Sequence, residues 1–100
     1  MENELRYLNA LRNRLIEKGW TQGELGGSEG PNCIIGAMSY VRGTHDIELE
    51  DIERAFKALH DASNARGASD LVTLNDFAVR DFNDLLSFFD DAERRIKEHG

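Results

Sequence analysis

Cys33 is the only thiol in the chain. If Asn32 caps a helix, Cys33 falls in its first turn, where the helix dipole lowers a thiol pKa and favours the nucleophilic thiolate. Its neighbours Ile34, Ile35 and Met38 work against ionisation, and no lysine or arginine is adjacent. The expectation is a buried, inert cysteine, with a nucleophile or redox thiol as the alternative. His45, His60 and His99 stand 15 and 39 residues apart, spacings that match no helical metal pair. A Cys–His site would need Cys33 to converge with His45 or His60, and no further ligand or orienting group is specified. Asn75-Asp76 with Arg80 would present a carboxamide, a carboxylate and a guanidinium together at a chain reversal. No second carboxylate at a defined distance marks acid–base catalysis, so turn and capping chemistry is the plainer reading. The sequence points to no metal and no cofactor.

The elements that must position these groups are legible from periodicity and punctuation. Over residues 4–18, Leu5, Leu8, Leu11 and Leu15 recur near the 3.6 period, with Arg6, Arg12, Arg14 and Lys18 mostly off that stripe. Gly19 is a plausible stop. Trp20 follows it and is expected to plug the end of the core, its N–H on a backbone carbonyl. Gly23, Gly26, Gly27, Gly30 and Pro31 read as a loop or small hairpin. That stretch lacks the Gly-Lys-Ser/Thr of a phosphate loop, and Glu24 and Glu29 would repel phosphate. The apolar run Cys33 to Val41 fits a buried helix or a buried strand.

A long amphipathic helix is expected from about Ile47 to Arg66, with Leu49, Ile52, Phe56 and Leu59 as its stripe. Asp46 is its expected N-cap and Gly67 its C-cap glycine. Ser69 to Leu74 reads as a short helix or turn, ended by Asn75-Asp76 in loop chemistry. The last helix runs from about Phe82 to Glu98. Asp81 caps it, and Asp84 stands where an acidic capping box has its partner. Its apolar face of Phe82, Leu85, Leu86, Phe89, Ala92 and Ile96, widened by Phe88, is broad enough to suggest self-association. The predicted fold is all-α: one compact four-helix domain over residues 1–100, with the Gly-rich loop or hairpin between the first two helices.

Composition narrows the function classes. Apolar residues make up 40% and charged residues 31% of 100 residues, the balance of an ordinary folded globule. No apolar run is long enough to span a membrane, and the acidic start does not read as a secretory signal. A net charge of −7 argues against direct nucleic-acid or anionic-membrane binding. Much of the acid has an ordinary use. Glu50–Arg54, Glu53–Lys57, Asp90–Arg94, Asp91–Arg95 and Glu93–Lys97 are i, i+4 pairs in the better orientation. The remaining excess lies toward the C-terminal part, around Asp70, Asp76, Asp81 and Asp84.

Three motifs carry a resemblance. Gly19-Trp20-Thr21-Gln22-Gly23, then Cys33-Ile34-Ile35-Gly36-Ala37, then Leu74-Asn75-Asp76 with Arg80 and Asp84, resemble an uncharacterised domain family of small, mostly actinobacterial and bacteriophage proteins. In that family a Trp-x-Gln-Gly motif precedes a Cys-x-x-Gly-Ala helix, and Trp-Asn-Asp precedes a final helix. Leu74 stands here where the family has tryptophan. The resemblance spans about Leu5 to Ala92. It implies a small α-rich domain in a phage or mobile-element setting, and it brings no activity, substrate or cofactor.

On physical grounds, Trp20, Cys33, Gly36 and Ala37 are expected to pack the first two helices. Asn75 and Asp76 are expected to tie the reversal to the Gln22-Gly23 backbone. The functional expectation is a small acidic cytoplasmic protein that docks on a basic surface of a host or defence protein through Asp70, Asp76, Asp81 and Asp84. One alternative is a small-molecule or minor enzymatic site built from Trp20, Gln22, Cys33, Asn75, Asp76 and Arg80. Another is a self-associating component, a homodimer through the last helix.

Overall fold

The computed structural model describes residues 2–23, 26 and 30–99. Five α-helices carry the chain: α1 Glu2–Lys18, α2 Ile34–Thr44, α3 Leu49–Ala65, the single turn α4 Leu71–Thr73, and α5 Phe82–His99. A π-helical turn, Leu74–Ala78, continues α4 without a break. The all-α expectation holds. The four-helix count does not, because Asp70 caps an additional short helix, its carboxylate accepting from Thr73 N at 2.7 Å. Asn75 and Asp76 therefore lie inside the π turn and not in a loop.

The leucine stripe of α1 is its buried seam: Leu8, Leu11 and Leu15 are fully enclosed together with Tyr7. Gly19 ends the helix with φ +95°, a conformation that side chains with a Cβ avoid, and donates to the Leu15 carbonyl at 3.0 Å. The chain then passes alongside Asn32. Thr21 N donates to Asn32 O at 3.0 Å, and Asn32 N donates to Gly19 O at 3.1 Å. These contacts and a bridge from Gly26 to Asn32 are isolated, and no strand is present among the described residues. The hairpin expected over 23–30 lies mostly outside the described residues.

The run from Cys33 to Val41 is helical, with Ile34, Ala37 and Val41 buried. Its cap differs from expectation. Cys33 itself is the N-cap, its Sγ accepting from Gly36 N at 3.4 Å. Asn32 is drawn inward, where its Oδ1 accepts from Arg14 Nε at 2.7 Å. The thiol thus lies one position before the first helical turn, buried beside apolar neighbours.

Helix α3 begins after Glu48, not Asp46. Its buried face is Asp51, Ala55, Ala58, Leu59 and Ala62, so the expected stripe is rotated. Leu49 and Phe56 are 54% and 41% exposed. Three alanines keep this face small, and α3 packs closely on α5 while both pack on α1. Beyond α3, Gly67 takes φ +83°. The Ser63 hydroxyl lies 3.2 Å from both the Ala68 and the Asp70 carbonyls and ties the turn to α4.

The broad apolar face of α5 is covered within this one chain. Leu85, Phe88, Phe89 and Ala92 are fully buried, and Phe82 is half-buried against Trp20. The ion pairs also differ in detail. Asp91–Arg95 and Glu93–Lys97 form, but Arg54 turns to Asp51 and Glu4, Lys57 to Asp61, and Asp90 to Arg12. No described helix is long and apolar enough to cross a membrane.

Candidate functional site

The three motif segments meet at one place. The π turn carries Asn75 beneath the Trp20 segment and the start of α2. Asn75 Oδ1 accepts from Trp20 Nε1 at 2.7 Å and from Ile34 N at 3.0 Å. Asn75 Nδ2 donates to Thr21 O at 3.0 Å and to Asp76 Oδ1 at 2.8 Å. Two acceptor positions and two donor hydrogens are the whole capacity of a carboxamide, and all are used. Gln22 Nε2 donates to the Asn75 carbonyl at 3.0 Å, and Gly23 N donates to Asp76 Oδ1 at 2.9 Å. The indole bond goes to this side chain and not to a backbone carbonyl as expected.

One layer further in, Arg14 is buried, with its guanidinium 3.8 Å from the Tyr40 ring centroid. With Asn32 it props the strand-like pairing at Thr21. Arg14 lies beside Leu15, one position off the leucine stripe, so spacing alone does not predict its burial. An arginine next to a core position and an aromatic on the following helix is the pattern that could have flagged it.

The six residues singled out as a ligand site do not all meet. Trp20, Gln22, Asn75 and Asp76 form the clasp. Cys33 abuts it through Ile34, but its sulfur serves as the cap of α2. Arg80 is elsewhere: its side chain is 90% exposed and approaches only Asp84, at 3.9 Å. His45 stands at the far end of α2 from Cys33, a separation of about 18 Å at the helical rise. His60 stacks on Phe56 at 6.2 Å. No group of three or more His, Cys, Asp or Glu is placed to hold a metal among the described residues.

The four acidic residues singled out for docking each support the fold. Asp70 caps α4, and its carboxyl lies below the usual range because Thr73 N–H binds the ionised form. Asp76 receives Gly23 N. Asp81 caps α5, accepting from Asp84 N at 2.8 Å. Asp84 accepts from Arg80 N at 3.0 Å, one residue beyond a capping box, and from Arg66 at 3.1 Å. Those bonds, with the Arg80 N–H first, hold its carboxyl below the usual range.

The free negative charge lies in another place. Asp46, Glu48, Glu50 and Glu53 are all exposed, and none of their carboxylates makes a hydrogen bond or ion pair among the described residues. They surround the entry to α3, where the helix dipole favours negative charge.

The chain matches the family of unknown function DUF6197 over residues 2–95 and belongs to that family. No curated protein and no solved structure matches it.

Proposed function

We propose that this DUF6197 chain is a small acidic protein-interaction domain that docks on a basic surface of another protein. The observation that carries this reading is the set of exposed carboxylates at 46–53 left without a partner. The clasp around Asn75 supports it from the other side. Its polar groups are spent on one another, so they brace the fold that displays the acidic surface. The carboxylates of Asp76 and Asp84 are tied down in the same way. Asp70 and Asp81 remain exposed and add to the negative field while capping their helices.

The resemblance to actinobacterial and phage proteins directs the search toward a host or defence protein with a nucleic-acid groove, a surface of suitable charge. The test is affinity capture with the intact chain at low and high salt. A partner retained at low salt, released at high salt and lost when Glu48 and Glu50 are changed to lysine is the expected result. Retention unaffected by salt and by those reversals would refute charge-led docking.

A further inference from the structure

Helices α2 and α3 both pack on α1, and between them lies an open groove of about 470 Å³. Its two walls are built alike. Ile35, Met38, Ser39 and Arg42 line it from α2, and Leu49, Ile52, Glu53 and Phe56 from α3. Each set follows i, i+3, i+4, i+7, so one whole face of each helix looks into the groove. Leu49 and Phe56 are among the few large apolar side chains the fold leaves exposed.

The floor is unfinished. Tyr7 lines the groove and is only 1% exposed, yet its hydroxyl finds no hydrogen-bond partner among the described residues. Every fully enclosed side-chain oxygen or nitrogen described does have a partner. The Tyr7 hydroxyl is therefore not fully enclosed, and Tyr7 is a residue of the groove lining. Burial raises its pKa to about 12 against the opposing charge of Arg42, so it is a neutral donor and acceptor at physiological pH.

Charge selects the occupant. The α3 side is edged by Glu50 and Glu53, with Glu48 flanking Leu49, and these carboxylates are unpaired. A second copy of this chain would bring the same acidic edge and a further net charge of −7, so like would face like. We propose that the α2–α3 groove is the docking site for an amphipathic helix of a partner protein, its apolar stripe seated on Ile35, Met38, Ile52 and Phe56 and its Lys or Arg residues along the α3 edge. Among the described residues Arg42 is the only cation lining the groove, so the helix carries its basic residues on one edge and none on the edge facing α2. The wall from Leu49 to Phe56 is about 10 Å long, which seats two helical turns and their anchors. This inference rests on the acidic-docking reading and adds the surface and the partner's chemistry.

The test is fluorescence anisotropy with the intact chain and synthetic helical peptides. One peptide has leucines on one face and lysines along one edge. A second replaces the lysines by glutamates, and a third replaces the leucines by serines. The lysine peptide is expected to bind at least about tenfold more tightly than either. Phe56→Ser and Leu49→Ser change exposed side chains and leave the fold intact by circular dichroism; each should weaken binding about tenfold. The double variant Glu50→Lys with Glu53→Lys should invert the preference, and Glu17→Lys, outside the groove, should not. Equal affinity for the lysine and glutamate peptides, or binding unaffected at Phe56 and Leu49, overturns the proposal. So does a dimer seen by sedimentation that Phe56→Ser abolishes. Salt-sensitive capture of a natural partner that survives the groove variants would leave the acidic-docking reading standing and remove the groove from it.

Discussion

Asn75 holds three separate segments with one side chain. Replacing it by alanine would leave Trp20 Nε1, Ile34 N and Thr21 O without their partner. Buried polar groups stranded in this way cost about 1–3 kcal/mol each, less where water enters. Asn75→Ala is therefore expected to lower unfolding stability by about 2–4 kcal/mol in a urea titration. A loss below about 1 kcal/mol would show that the clasp does not brace the fold. Cys33 is the second case at this scale. Its thiol is buried and serves as a cap acceptor. A disulfide reagent should leave the native chain unmodified and react at the rate of unfolding in denaturant. Rapid native reaction would restore the nucleophile reading.

At the scale of elements, the glycines separate two physical roles. Gly67 has φ +83° with open space around it, so the cost of a side chain there is conformational. Gly67→Ala should destabilise by about 1–2 kcal/mol. Gly43 lies in the last turn of α2 without positive φ, and a Cβ there meets nothing within 4 Å. Gly43→Ala should stabilise by about 0.5–1 kcal/mol through helix propensity. Thermal melts of the two variants should move in opposite directions. A shared direction would refute the division of roles between the two glycines. The α3 stripe shows the limit of periodicity. Leu49, Ile52, Phe56 and Leu59 satisfy a helical period, yet the face that packs is centred on Ala55, Ala58 and Ala62. Small residues on that face permit a close approach, Leu59 is buried with them, and Leu49 and Phe56 are left at the exposed margin.

For the whole molecule, pH stability follows from which groups the fold prefers charged. Asp61, Asp70 and Asp84 sit below the usual carboxylate range, held by the Lys57 hydrogen bond, the Thr73 N–H and the Arg80 N–H respectively. Burial works to raise Asp51, but bonds from Asn3 and Arg54 outweigh it and leave it low as well. Their contribution is present above the unfolded value near 3.8 and is lost as pH falls through the lower folded values. Tyr7 acts at the other end. Its folded value of about 12 exceeds the unfolded 10, so stability is retained below pH 10 and declines as pH rises toward 12. The midpoint of urea unfolding should be level from about pH 5 to 9 and fall on both sides. A Tyr7→Phe variant should lose the alkaline decline. A decline of equal size in that variant would assign it to other groups.

Local signals in the sequence were enough to determine the all-helical class, the ends at Gly19 and Gly67, the Asp81 cap and the inward leucines of α1. Each depends on neighbours within about one turn, where spacing and residue type carry the physics. The pairing of Asn75 and Asp76 with Gln22 and Gly23 was also legible, because polar residues at a chain reversal need partners and few were on offer. Only the tertiary structure decided the rest. Arg14 is buried because Asn32 and Tyr40 arrive from another segment to meet it, and Asn32 is thereby removed from the cap that Cys33 takes over. The aromatic face of α5 is covered because α1 and α3 both reach it. The groove between α2 and α3 exists because both helices pack on α1 and leave a space between them. A residue's spacing predicts which side of its own helix it occupies; whether another helix fills that side is set by distant parts of the chain.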